Sequence, residues 1–436
     1  MTLNARLSQN TIILLISSAG SAIFSFVLTV IIGRVLGEEG LGVYATVLAW
    51  IFPLSLMVEF GLGTLITRDV AQDIANGPAY LHATTIARLV IGGSAASLIV
   101  LLAPLMSDNP ATIEGLRISA PIVIILPMFG MFTALFRAHQ VMWPIPLLNI
   151  GMLVIQTALV IIVFAKGGDV KAALIVNTTT SMAQLLVAWM MYRKWFASNR
   201  TTAQRARTKP LPVYGEGLGW GQGGALDIII LLKRAWPFAI AAFIGALQIR
   251  IGIILVEQFA GTSEAGLFAA ASRFVDAARM LPNAFFGALF PALATIVANP
   301  TKMQRLFKRA AFGLSGYSIA AGIITGLLAP VAIPSIFGDE FNDTILILQI
   351  LIWSLLPALL RGSRTLYWYA LQREHYVNVV NLIAVGLQVF LSLWLIPSHG
   401  AAGAAIAIVL TESIAMILLF REVRLPILWP MQHEQR

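Results

Sequence analysis

The chain has 436 residues, of which 58% are hydrophobic and only 11% charged, whereas soluble domains carry roughly 25% charged residues. So few charges cannot cover a water-soluble protein of this length, and much of the exterior is therefore expected to face lipid. The apolar runs are long and continuous, which favours α-helices over the short alternating segments of a membrane β-barrel. Cysteine is absent, which excludes disulfides, thiol catalysis and cysteine metal sites.

Windows of about twenty apolar residues predict twelve transmembrane helices in an all-α membrane protein. The predicted spans are 11–36, 42–67, 82–106, 116–138, 145–166, 171–193, 235–258, 265–296, 308–333, 344–369, 377–396 and 401–420. The first run is too long for the core of a signal peptide and is expected to remain as a span.

The 29 Lys and Arg residues are distributed unevenly over the predicted loops. With the N-terminus inside, the outer loops carry only Arg117, Lys166 and Lys171, six arginines fall within spans, and the other twenty cations fall on the inner side. This asymmetry follows the positive-inside rule, which an odd number of spans would violate. Both termini are therefore predicted to be cytoplasmic. The net charge of +9 indicates topology and attraction to anionic headgroups, not nucleic-acid binding.

Two stretches of the chain resemble each other at a fixed offset. Residues 36–45 follow the first span and resemble residues 260–269, which follow the seventh. Since each half has six spans and begins inside, the halves are predicted to be parallel repeats, with a substrate site between them near the membrane midplane.

The predicted organisation has three parts. Residues 1–196 form an N-terminal six-helix bundle, residues 197–232 a basic and glycine-rich cytoplasmic linker, and residues 233–436 a C-terminal six-helix bundle. No GxxxxGK[ST] motif occurs, and the five histidines show no metal-ligand spacing, so no cofactor is expected. Coupling to H⁺ or Na⁺ is left open.

Ionisable side chains within membrane spans are costly, and they normally face a cavity or a partner, which makes them functional candidates. The basic candidates are Arg34, Arg88, Arg250, Arg273, Arg279 and Arg361, and the acidic ones are Glu59, Glu257, Asp276 and Glu412. This excess of arginine predicts a cavity with net positive charge.

The proposed substrate-binding residues are Arg250, Arg273, Arg279, Arg34 and Arg88. Guanidinium groups could hold a diphosphate through charge-assisted, bidentate hydrogen bonds. The alternative is structural: Arg273 pairs with Asp276 and Arg250 with Glu257 to fix helix packing, and Arg34 extends to the outer surface.

The proposed coupling residues are Glu59, Asp276 and Glu257. Glu59 is a lone carboxyl group in an apolar stretch, an environment that suits proton coupling. Equally, Glu59 could neutralise a neighbouring arginine such as Arg88.

The first two spans carry a family resemblance. The segments 33–45 and 59–71, together with 261–273, Met280-Leu-Pro282 and Leu289-Phe-Pro291, resemble polysaccharide-transport flippases of the multidrug/oligosaccharidyl-lipid/polysaccharide exporter superfamily. The resemblance implies two six-helix bundles in a V that alternates between inward- and outward-facing states. It also implies a polyprenyl-diphosphate-linked glycan as substrate.

The favoured hypothesis is therefore a flippase that moves a lipid-linked oligosaccharide to the outer leaflet of a bacterial inner membrane through an arginine-lined central cavity. The protein is expected to act as a monomer among membrane lipids, with a polysaccharide polymerase or a glycosyltransferase as candidate partners. One alternative is a cation-coupled multidrug exporter of the same fold. The other is a membrane-embedded glycosyltransferase or polymerase, which would need a larger outer loop than 337–343.

Overall fold

The computed structural model describes residues 3–72, 77–198, 228–295, 300–371 and 373–421, and the regular elements in these ranges are all helical. The α-helices are α1 (Leu3–Glu59), α2 (Leu62–Gln72), α3 (Gly77–Met106), α4 (Pro110–Ser119), α5 (Ile122–Ala138), α6 (Pro144–Ala165), α7 (Val170–Ser198), α8 (Ile228–Ala260), α9 (Thr262–Thr295), α10 (Pro300–Phe337), α11 (Thr344–Leu351), α12 (Leu355–Ala370) and α13 (Glu374–Arg421). Two 3₁₀ segments, Asp339–Phe341 and Ile352–Ser354, flank α11.

Two of these helices are too long for one membrane crossing. α1 has 57 residues and α13 has 48, whereas about 20 residues span the hydrocarbon core. Each contains a glycine with positive φ, Gly37 at 68° and Gly400 at 55°, which interrupts the helix and divides it into two arms. Nine helical stretches in the described ranges are long and apolar enough to cross a membrane. With α1 and α13 each crossing twice, these stretches account for eleven crossings, and α9, a helix of 34 residues outside the nine, makes the architecture consistent with the expected twelve spans.

The predicted second span, 42–67, is interrupted near its end. Phe60 and Gly61 both have positive φ, at 55° and 67°, and they separate α1 from α2. Positive φ is uncommon for a residue with a bulky side chain, so hydropathy gives no warning of such a break. The interruption lies directly after Glu59.

The repeat predicted from the sequence is visible as a symmetric contact. A Cβ atom on Gly42 would overlap the carbonyl oxygen of Thr262, and a Cβ atom on Gly266 would overlap that of Glu38. Thr262 and Gly266 occupy the positions of the second half that correspond to Glu38 and Gly42 in the first. The two halves therefore meet through equivalent residues, as parallel repeats related by a two-fold axis would.

The same end of the molecule carries Gly37, Gly261 and Gly400, and we call it the glycine end. The side chain of Glu340 lies beside Gly37, and that of Glu264 beside Gly400. The largest apolar cluster includes Ile32 and Leu41 from the first half and Ile254 and Ala265 from the second. Apolar packing thus joins the halves near this end.

Most of the predicted linker lies outside the described residues, and the part that is described is helical. Residues 197–198 end α7, and residues 228–232 begin α8. The division into domains stays a prediction.

Candidate functional site

A cavity of about 470 Å³ lies on the second-half side of the contact between the halves. Its walls come mainly from α8, α9, α12 and α13, together with residues around the 3₁₀ segment that precedes α12. Of the described residues of the first half, Ala45 and Leu48 line it, both from the second arm of α1. The substrate site was expected between the halves, and this cavity instead belongs largely to one of them.

The charged groups that line the cavity are Arg250, Arg273, Arg279, Arg361, Asp276 and Glu412. Two of the arginines are paired with a carboxylate. Arg361 Nε lies 3.2 Å from Glu412 Oε2, and Arg273 Nη1 lies 3.8 Å from Asp276 Oδ2, one helical turn along α9. Two positive charges are therefore left in excess.

The remaining two arginines, Arg250 and Arg279, form no ion pair with a carboxylate of the described residues. The guanidinium group of Arg250 lies 5.4 Å from the centre of the Phe52 ring, which is a cation–π contact. Asp276 is close enough to attract Arg250 electrostatically, while Arg273 repels it.

Six buried polar atoms of the cavity residues have no hydrogen-bond partner in the part of the chain that the structure describes. They are Gln248 Nε2, Arg250 Nε, Arg279 Nε, Ser354 Oγ, Arg361 Nη1 and Glu412 Oε2. A buried polar atom without a partner costs about 1–3 kcal/mol, so atoms of this kind are usually satisfied by water or by a ligand. Their concentration around one cavity marks it as the candidate site.

Arg34 does not line this cavity. Its side chain is exposed, and its Nε donates to the carbonyl oxygen of Ile336 at 2.6 Å. Its Nη2 donates to the carbonyl oxygen of Ser335. Arg34 thus ties the first arm of α1 to the last turn of α10, which satisfies carbonyl groups at that helix end.

Arg88 lies within the first half, away from the cavity, and its side chain is completely buried. None of its three guanidinium nitrogens has a hydrogen-bond partner among the described residues. Glu59 supplies an attractive electrostatic interaction. Glu59 Oε1 also accepts a hydrogen bond from the backbone N–H of Gly63 at 3.0 Å, which caps the start of α2 after the break at Phe60 and Gly61.

Glu257 also lies outside the cavity, and it does not form the suggested pair with Arg250. Its Oε1 accepts a hydrogen bond from the Ser107 hydroxyl group, and its side chain is buried. Their separation of seven residues in the sequence predicted that Arg250 and Glu257 lie on one face of α8. The structure shows that Glu257 instead faces the first half.

The cavity also contains neutral polar residues that were not predicted. Asn283, Asn381, Gln388 and Ser354 all line it. Two of them could have been predicted from the sequence, because Asn381 and Gln388 are seven residues apart and hence lie on one face of α13. No group of three or more His, Cys, Asp or Glu residues suited to a metal ion occurs among the described residues.

Solved structures share this architecture. An inward-facing multidrug resistance MATE family transporter of the MOP superfamily aligns with a TM-score of 0.71 at 15% identity, covering 94% of this chain and 96% of that one. The lipid II flippase MurJ in an inward closed conformation also gives a TM-score of 0.71, at 14% identity, covering 94% of this chain and 86% of that one. The fold is that of a MOP-superfamily membrane transporter, which confirms the expected all-α exporter fold.

The sequence identifies the family within that class. The model of the family described as "Polysaccharide biosynthesis protein" matches residues 7–297, and the chain belongs to this family. The "Putative O-antigen transporter" of Shigella dysenteriae is 21% identical over 423 residues, covering 96% of this chain and 100% of that protein. The chain is accordingly a multi-pass membrane protein of this family.

Proposed function

We propose that this protein is a flippase that moves a polyprenyl-diphosphate-linked oligosaccharide from the inner to the outer leaflet of the bacterial inner membrane. It would do so by alternating access through the cavity lined by Arg250, Arg273, Arg279 and Arg361. The observation that carries the proposal is the excess of two positive charges in a cavity of an otherwise apolar membrane protein. The similarity to an O-antigen transporter and to a lipid II flippase supports the same substrate class.

The physical task explains the need for arginine. Burying an anionic diphosphate in a membrane protein without compensation is prohibitive, whereas its prenyl tail can remain in lipid. Unpaired guanidinium groups such as those of Arg250 and Arg279 can donate charge-assisted hydrogen bonds to phosphate oxygens. Binding would also satisfy Nε atoms that the described protein leaves without a partner.

Direction and energy source are part of the proposal. We take the glycine end as the outer end and both termini as cytoplasmic, following the positive-inside rule. An inside-negative potential favours outward movement of an anion by about 2.3 kcal/mol per charge per 100 mV. Glu59, Asp276 and Glu257 remain candidates for coupling to H⁺ or Na⁺.

The alternative of a cation-coupled multidrug exporter shares the fold, as the MATE family transporter does. A cavity for cationic drugs should carry an excess of carboxylates, and the charge of this cavity has the opposite sign. The flippase is therefore the better supported function.

The test is transport of a fluorescent lipid-linked oligosaccharide between leaflets of proteoliposomes. Arg250→Gln and Arg279→Gln should each reduce flipping at least tenfold, because each removes an unpaired cation. Arg117→Gln is the matched control, since Arg117 is exposed and outside the cavity. Normal flipping by both cavity variants would refute the mechanism, and export of a cationic dye by the wild type would favour the alternative.

A further inference from the structure

The charged groups that line the cavity differ in whether they are paired with a group of opposite charge. Arg250 and Arg279 provide unpaired positive charge, whereas Arg361 and Glu412 form an ion pair whose side chains are only 18% and 12% exposed. An ion pair of this kind presents little net charge to a ligand. It still offers both hydrogen-bond donors and acceptors, because Arg361 Nη1 has no hydrogen-bond partner among the described residues and a carboxylate oxygen can accept more than one hydrogen bond.

Amide and hydroxyl side chains line the same cavity as this ion pair. Asn381 and Gln388 lie two turns apart on α13, and Gln388 is only 3% exposed. Asn283 adds a third amide group from α9, and Ser354 adds a hydroxyl group whose oxygen has no partner among the described residues. The cavity therefore also holds neutral polar groups, each of which can donate and accept hydrogen bonds.

We propose that Arg361, Glu412, Asn381 and Gln388 form a subsite for the first, uncharged sugar of the lipid-linked glycan, beside the diphosphate held by Arg250 and Arg279. The proposal rests on the flippase function and adds to it the chemical class of the group next to the diphosphate. Sugar hydroxyl groups donate and accept hydrogen bonds at once, which matches amides and an ion pair better than isolated cations. Phe268 and Phe286 provide apolar surface in the same cavity for the C–H faces of a sugar ring.

The balance of charge supports an uncharged sugar. A diphosphate that is esterified at both ends carries one negative charge on each phosphorus, which equals the excess positive charge of the cavity residues. An acidic sugar beside it would bring a further negative charge next to Glu412 without a cation to match it. Uncompensated buried charge is strongly unfavourable.

The carboxylates of the cavity do not suit a bound metal cation. Both carboxylates among the described cavity residues already have an arginine beside them: Arg361 lies 3.2 Å from Glu412, and Arg273 lies 3.8 Å from Asp276. A sodium ion there would have to displace or approach a guanidinium group of the same charge. A neutral ligand meets no such repulsion.

The cavity size sets how much of the substrate is recognised. A volume of about 470 Å³ lies within the range of roughly 300–1,000 Å³ found for small-molecule sites. This is enough space for a diphosphate with a proximal sugar. The subsite would thus select the sugar attached directly to the diphosphate.

The test uses two soluble diphosphate diesters with the same charge. One is farnesyl diphosphate esterified to N-acetylglucosamine or galactose, and the other is farnesyl diphosphate esterified to methanol. Binding to the full-length protein in lipid nanodiscs is measured by calorimetry. We expect the wild type to bind at least one sugar diester about tenfold more tightly than the methyl diester, a difference of about 1.4 kcal/mol.

Gln388→Leu should remove this preference without weakening the methyl diester, whereas Arg279→Gln should weaken both ligands equally. Asn381→Leu serves as a second variant, and Gln349→Leu is the matched control, because Gln349 lies outside the cavity and donates to the Gly326 carbonyl group. Equal binding of all diesters by the wild type, or equal weakening of all by Gln388→Leu and Asn381→Leu, would refute the subsite alone. Failure of the wild type to bind any diester would refute the proposed function as well.

Discussion

Ser107 and Glu257 join the two halves of the molecule through a hydrogen bond of 2.5 Å between the Ser107 hydroxyl group and Glu257 Oε1. Ser107 follows α3 of the first half, and Glu257 lies in the last turn of α8 in the second. Nearby, Gln258 Nε2 donates to the carbonyl oxygen of Met106 at 3.4 Å. The glycine end is thus closed by polar bonds as well as by the packing of Gly42 against Gly266.

Removing the Ser107 hydroxyl group should favour opening of the glycine end. Ser107→Ala removes the hydroxyl group that donates to Glu257 Oε1, and loss of a hydrogen bond to a buried carboxylate costs about 1–3 kcal/mol in the closed state. Because the chain has no cysteine, Ser272→Cys in the cavity gives a labelling site without background. We expect an impermeant maleimide added from the outer side to label this cysteine several-fold faster in the Ser107→Ala variant.

Ser181→Ala is the control for that experiment, since the Ser181 hydroxyl group bonds only within its own helix, to the carbonyl oxygen of Asn177. Unchanged labelling in both Ser107→Ala and Glu257→Gln would show that this bond does not hold the end closed.

Because Gly42 and Gly266 are in close contact, a side chain at either position should destabilise the protein. Gly42→Ala or Gly266→Ala forces the halves apart, since the added Cβ meets backbone atoms that cannot rotate away. We expect each to lower the stability by about 1–3 kcal/mol, measured by thermal unfolding of the purified protein. Gly151→Ala has open space and should be neutral or slightly stabilising, so equal losses in all three variants would contradict the prediction.

Replacing Arg88 should affect stability and activity in opposite directions. Arg88→Met removes a buried cation whose nitrogens lack hydrogen bonds, so thermal stability should be unchanged or higher. Flipping should fall nonetheless, because a residue this costly within a membrane is normally retained for function. Lower stability with normal flipping would show instead that Arg88 is a packing element. Glu59→Gln tests whether Glu59 couples transport to protons: if it does, the variant should lose the dependence of the flipping rate on a pH gradient.

His139 predicts a pH-dependent stability. It lies in the connection between α5 and α6, where burial beside the Tyr192 ring lowers the pKa of its imidazole group below the usual 6.5. The folded protein therefore binds the proton less well than the unfolded chain. Stability should be full above pH 6.5 and fall as the pH drops through the unfolded value towards the lower folded one. His139→Gln should flatten this part of the melting-temperature profile, while His399→Gln, at an exposed position, should not.

The sequence predicted the parts of this molecule that depend on repeated patterns. The apolar runs, the charge asymmetry and the match between residues 36–45 and 260–269 led to the helices and to the parallel halves. The contact of Gly42 with Gly266 depends on that same match. Such features are distributed over many residues, so single errors do not change the result.

The candidate site was less predictable because it depends on which neighbours each side chain meets. Arg250 and Glu257 share a helix face in projection, yet Glu257 turns towards Ser107 in the other half. Asn381 and Gln388 were missed because neutral amides in an apolar helix do not stand out in a census of charges. Arg361 and Glu412 are far apart in the chain, and only the folded structure shows them 3.2 Å from each other.

The cavity's position within the second half has an evolutionary consequence. The two repeats share a scaffold, yet among the described residues all the polar groups that line the cavity belong to the later one, and the earlier one supplies the small apolar surface of Ala45 and Leu48. After a duplication, the two repeats would then have diverged in function, and the second repeat would determine which cargo is bound. A chimera that joins this second half to the first half of a family member should keep the cargo preference of the protein described here.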